Sequence, residues 1–147
     1  MLLGLLVNST STRAASPLDP LIGAWAGSGS FKLQDGKTVR IKCNAYYTGG
    51  GAQLGMVVRC SGGESDKIEI RSKLSYSNGR LNGNWEERTY NAEGAVAGEA
   101  QNDHIMLRIT GGVAGSMKVN FTPSQQSVTI STQGIPLKSV NVSMTKR

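Results

Sequence analysis

The chain has 147 residues, 38% hydrophobic and only 18% charged, with a formal net charge of +6 and no run of the roughly 20 apolar residues that a membrane span needs. That length makes one domain able to bury a core without staples, and the apolar content excludes a disordered chain. Nineteen glycines, abundant Ser, Thr, Asn and Val, and no sustained 3.6-residue periodicity exclude a helical protein, so the class is all-β.

The chain opens with Met1-Leu-Leu-Gly-Leu-Leu-Val7 and turns small and polar up to Arg13-Ala14-Ala15-Ser16. A short apolar core followed by small residues reads as a signal peptide over residues 1–16; lacking a cationic start, it reads as one truncated at its beginning. The expected location is therefore periplasmic or secreted, without stable membrane insertion. Residues 17–22, Pro17-Leu-Asp-Pro20-Leu-Ile22, are expected to form an extended N-terminal segment, and residues 23–147 a single β-barrel domain.

From Gly23 onward, apolar alternation and turn signals recur at the 8- to 12-residue spacing of a sandwich or barrel. The pattern predicts strands over residues 24–33, 38–47, 54–61, 67–76, 81–90, 95–100, 105–110, 116–121, 127–132 and 138–145. Asn78-Gly79 suits a type I′ hairpin, and 101–104 is a second tight turn. Short links make an up-and-down meander, and a meander of this length removes its edges most simply by closing. The expected fold is an antiparallel up-and-down β-barrel of about 8–10 strands.

The hairpin across Thr48-Gly49-Gly50-Gly51 carries the only two cysteines, one on each arm. Folding it about Gly51 and Ala52 sets Cys43 opposite Cys60, Ala45 opposite Val58 and Tyr47 opposite Met56, so one register sorts both cysteines and their apolar neighbours onto one face. We expect a structural disulfide that closes a loop of about 17 residues and adds roughly 2–4 kcal/mol, which fits an oxidising compartment.

The same registers point Trp25, Phe31, Tyr47, Met56, Ile68, Ile70, Leu74, Tyr76, Leu81, Trp85, Leu107, Met117 and Phe121 inward, mixed with small residues such as Gly83, Gly98 and Ala100. Small lumen-facing positions leave room for a cavity, or seat a bulky neighbour such as Trp85. Glu87 is the one ionisable residue aimed inward, beside Trp85 and opposite Ile70. A carboxylate there needs water or dedicated donors.

Outward, the registers place Arg59 beside Glu69, Glu69 beside Arg88, and Arg71 beside Glu86, leaving Arg40, Lys42 and Lys73 unpaired. Such ladders describe a solvated face; with no stacking aromatic row, no nucleic-acid partner is expected. The single histidine, His104, lies at a turn, and with both cysteines bonded it assembles neither a zinc site nor a nucleophile pair. No nucleophile elbow, phosphate loop or dinucleotide fingerprint occurs, so neither catalysis nor a metal is expected.

Gly23-Ala24-Trp25-Ala26-Gly27-Ser28-Gly29 resembles the Gly-x-Trp signature of the lipocalin and calycin barrels. The resemblance implies that Trp25 closes the bottom of the barrel and packs under a basic residue of the last strand, Lys146 or Arg147. The longer Gly-x-Trp-x-Gly-x-Gly form is similar to that of the nitrobindin haem barrels, which hold haem through a histidine late in the barrel. This sequence has none there, so no cofactor is expected. The chain also resembles the small periplasmic inhibitors of bacterial metalloproteases, Gly-x-Trp barrels with an early disulfide and an N-terminal segment that enters the protease. There Cys43, Cys60 and residues 16–21 take the corresponding parts.

Two functions follow as expectations. The first is a non-catalytic exported barrel binding a small apolar or amphipathic ligand, with Trp85, Glu87, Tyr47, Met56 and Leu107 lining the site and Trp25, Cys43 and Cys60 structural. The alternative is an envelope protein-interaction module, such as a protease inhibitor or structural barrel, with a packed interior.

Overall fold

The computed structural model describes Gly4, residues 16–63 and residues 66–147; the expected signal peptide lies outside these apart from Gly4 and Ser16. Ten strands follow a short 3-10 turn, Asp19–Leu21: β1 Gly23–Leu33, β2 Thr38–Gly50, β3 Gln53–Gly62, β4 Asp66–Ser77, β5 Arg80–Glu87, β6 Ala92–Ala100, β7 His104–Gly111, β8 Ala114–Phe121, β9 Gln125–Gln133 and β10 Leu137–Lys146. Each strand pairs antiparallel with its sequence neighbours, and β1 pairs with β10 to close the barrel. No helix among the described residues is long and apolar enough to cross a membrane.

Strict alternation builds the core. Along β2, Val39, Ile41, Cys43, Ala45 and Tyr47 are buried while Arg40, Lys42 and Tyr46 face solvent, the period-2 pattern of a strand with one wet face. The β2–β3 register pairs Cys43 with Cys60, Ala45 with Val58 and Tyr47 with Met56, and the two sulfurs are bonded at 1.99 Å inside the barrel. At the β4–β5 turn, Asn78 and Gly79 both take positive φ, 49° and 80°, as a type I′ turn requires.

Closing the sheet depends on glycine at the seam. Gly27 and Gly29 of β1 lie opposite Met144 and Val142 of β10, and a Cβ at either would overlap a β10 carbonyl, that of Ser143 or of Asn141. Without side chains there, the first and last strands approach closely enough to bond.

Three expectations need correction. Gly83 and Gly98 do not leave space in the lumen: their missing Cβ positions are occupied by the carbonyls of Lys73 and Met106 on the adjacent strands, so these glycines tighten the wall. Residues 17–22 are not an extended arm. Pro20 sits in the first turn of the 3-10 segment, and Leu18 and Leu21 are buried at 2% and 0% exposure across one end of the barrel. The fifth strand stops at Glu87 rather than at Tyr90, because the Glu87 carboxylate draws the backbone N–H groups of Thr89 and Tyr90 into a turn ending at Asn91, φ 52°.

Replacing Gly29 by Ala is expected to lower unfolding free energy by about 3 kcal/mol or more, whereas Ser30→Ala, one residue along, changes it by about 0.5 kcal/mol or less. Denaturant titration of the two variants against the parent measures the difference.

Candidate functional site

The lumen has two unlike ends. At the closed end the 3-10 turn lies across the barrel, and the Trp25 indole Nε1 donates to the Leu21 carbonyl at 2.8 Å. Lys146, of the two basic candidates, reaches over this plug: its Nζ stands 5.5 Å from the Trp25 ring centroid and donates to the Pro20 carbonyl at 2.9 Å. One cation thereby holds both the ring and the turn beneath it.

Just above the plug, Tyr47 and Gln126 form a polar pair within the core, the phenol donating to Gln126 Oε1 at 2.8 Å. Burial pushes the Tyr47 phenol above its ordinary pKa, with the Gln126 bond opposing in part. Gln126 Nε2 has no hydrogen-bond partner among the described residues. Gln126 escaped the sequence reading, although its parity with Val128 and Ile130 places it on the inward face of β9.

The opposite, mouth end holds an internal cavity of about 40 Å³. Met56, Ile70, Trp85, Val96, Leu107, Ile109, Met117 and Ile130 form its walls, and Ile135 and Leu137, from the β9–β10 link and the start of β10, close it above. Polar side chains at its edge turn their hydroxyls into the wall: Ser72 donates to the Asn84 carbonyl at 2.8 Å and Thr132 to the Leu137 carbonyl at 2.6 Å. What remains facing the cavity is apolar. Trp85 spans the wall between Ser72 and Gly94, its register partners, and lies so close to Gly94 that a Cβ there would stand 3.0 Å from the indole Nε1.

Four of the five residues expected to line a ligand site, Trp85, Glu87, Met56 and Leu107, border this one cavity. The fifth, Tyr47, belongs to the closed end. Glu87 is buried at 3% exposure, and dedicated donors rather than water satisfy it: its carboxylate accepts the backbone N–H groups of Glu69 at 2.9 Å, Thr89 at 3.0 Å and Tyr90 at 2.6 Å. It thus ties β4 to the β5–β6 turn at the rim.

Outside, Glu69 gathers the arginines of its wall. Arg59 Nε stands 2.8 Å and Arg71 Nη2 3.3 Å from Oε1, with Arg88 Nε 3.8 Å from Oε2. The Arg59 hydrogen bond, with Arg71 adding to it, holds the Glu69 carboxyl below the ordinary carboxylate range. Arg71 is in register with Glu86, yet its guanidinium turns to Glu69, and Glu86 pairs with Arg88 at 3.3 Å instead. His104 Nδ1 lies 2.8 Å from Asp103 at the β6–β7 turn. Among the described residues no three of His, Cys, Asp or Glu come together as metal ligands.

No protein-family model matches the chain, and no curated protein matches it in sequence. Its fold is nevertheless shared with solved structures. Rv2717c from M. tuberculosis superposes with a TM-score of 0.66 at 15% identity, over 92% of this chain and 99% of that one. The S-type phycobiliprotein lyase CpeS from Guillardia theta does so with a TM-score of 0.58 at 17% identity, over 88% of this chain and 89% of that one. The protein is thus a closed ten-stranded antiparallel barrel, a fold it shares with these solved structures.

Two outcomes are expected. Glu87→Ala strands three backbone N–H groups at the rim and should cost about 3 kcal/mol or more of stability, read from thermal melts. The Tyr47 phenol has a higher pKa folded than unfolded, so its contribution is whole below about pH 10 and is lost as pH rises toward the folded value. Denaturant midpoints across about pH 9 to 11 should fall more steeply in the parent than in Tyr47→Phe.

Proposed function

We propose that this protein is a non-catalytic, exported barrel that takes a small apolar ligand into the cavity at the mouth end of its lumen. The observation that carries this reading is the small apolar cavity between Met56, Trp85, Val96 and Leu107. A void of that character stays dry and receives apolar molecules in preference to water, and ligand sites are typically concave and apolar. Its size bounds the ligand. At about 40 Å³ the cavity falls far below the roughly 300–1,000 Å³ of sites for drug-sized molecules and below the roughly 150 Å³ void that takes benzene, so even a small ring or short alkyl chain enters only as the side chains around it repack. Glu87 serves as a rim brace rather than as a contact for a polar headgroup. The buried Cys43–Cys60 bond supports export, since such bonds persist in oxidising compartments.

The alternative, an envelope interaction module acting through a free N-terminal arm, fits less well. Leu18 and Leu21 are built into the closed end, and withdrawing them would uncover Trp25.

Titration with toluene, followed by tryptophan fluorescence and by melting temperature, tests the proposal. A saturable fluorescence change with a raised melting temperature is expected, both lost in a folded Val96→Phe variant that fills the cavity. Absence of either response to toluene and to octanoate in the parent would overturn it.

A further inference from the structure

We propose that the mouth end of the barrel docks onto an anionic phospholipid surface through the outer face of β1 and β2. Cations without an ion pair among the described residues occur on several walls, Lys73, Arg80, Arg108 and Lys118 among them, but they are densest around β1, β2 and the start of β10. Arg59, Arg71 and Arg88, on β3, on β4 and after β5, are all drawn to Glu69 or Glu86. Lys32, Arg40, Lys42 and Lys138 are exposed and form no ion pair among the described residues, and the sequences of β1, β2 and β10 carry no acid. Lys37 joins them from the β1–β2 link, where Asp35 is the one acid. Lys67, at the start of β4, is exposed as well and brings these cations to six; by sequence the acids of the neighbouring links and strand start are Asp35, Glu64 and Asp66.

These cations crowd the end of the barrel where the cavity lies. Lys138 follows Leu137, which closes the cavity and is the register partner of Leu33; Lys32 lies opposite Ser139, and Arg40 opposite Ser30. Between Arg40 and Lys42 an open groove of about 680 Å³ runs past Ser28, Ser30 and Ser61. Two cations with flanking hydroxyls suit a phosphate oxygen cluster, the one supplying charge and the other short hydrogen bonds. No aromatic side chain lines the groove, so it lacks the stacking platform of a single-strand nucleic-acid binder. An anionic bilayer matches the arrangement better: a flat field of phosphates meeting a rim of unpaired cations.

Sedimentation with vesicles tests the docking. Binding is expected to vesicles of phosphatidylcholine mixed with phosphatidylglycerol, but not to phosphatidylcholine alone, and to weaken as salt is raised. The Arg40→Glu/Lys42→Glu double variant should lose roughly 30-fold or more in vesicle affinity, because each cation near an anionic leaflet counts for roughly five-fold. Arg108→Glu/Lys118→Glu, on the opposite wall, makes the same charge change and should bind at near-parent strength; melting curves confirm that both variants fold. Val96→Phe should also keep vesicle binding, which separates this proposal from the lumen reading. Equal binding to neutral vesicles, equal loss in both double variants, or no vesicle binding at low salt would overturn it. So would tighter capture of single-stranded RNA than of vesicles through Arg40 and Lys42, which would assign the face to nucleic acid.

Discussion

Ten strands become a barrel only if the first and last of them bond, and that pairing joins residues more than a hundred positions apart, such as Trp25 and Lys146. The seam forms because Gly27 and Gly29 offer no Cβ to the β10 carbonyls. Every other pair in the sheet joins sequence neighbours across a short link and can form locally. The seam alone must bear a long loop closure. The rest of the molecule, from the plug to the cavity, presupposes that this closure has taken place.

Once the wall is closed, the ends diverge by how they treat polar groups. At the closed end an indole N–H, a lysine and two leucines seal the barrel, each polar atom finding a named carbonyl. At the mouth, Ser72, Thr132 and Glu87 are equally satisfied, but by bonding back into the wall and rim, while the Trp85 indole N–H, close against Gly94, has no partner among the described residues. The cavity is apolar because the hydroxyls of Ser72 and Thr132 and the Glu87 carboxylate have partners elsewhere. That is a different arrangement from a pocket lined only by aliphatic residues, since loss of one wall bond would release a hydroxyl into it.

Much of this was legible in the chain. Period-2 alternation, turn residues and the matching hairpin registers identified the strands and the Cys43–Cys60 pairing, because side-chain period and turn geometry are local properties. The plug was only half legible. Trp25 and a basic partner followed from the motif, but residues 17–22 read as an extended arm, as the likeness to the inhibitor barrels implied, and nothing local announces that Leu18 and Leu21 will be buried. The glycines misled for a related reason. Gly83 and Gly98 leave volume on their own strand, and whether a neighbouring strand takes that volume depends on barrel curvature, which no short stretch of sequence encodes. Glu87 was correctly sent inward, yet the donors that satisfy it come partly from the turn that it creates itself.

The seam also sets where the ends of the meander lie. Trp25 pairs with Lys146, and the Arg147 N–H donates to the Ala24 carbonyl at 2.9 Å, so the strand order begins and finishes side by side on one rim. A sheet in which every strand is bonded on both sides has no intrinsic first strand. The chain could be cut at the Asn78-Gly79 turn and rejoined across that rim with each pairing in the sheet retained, and the order of synthesis would then change while the barrel did not.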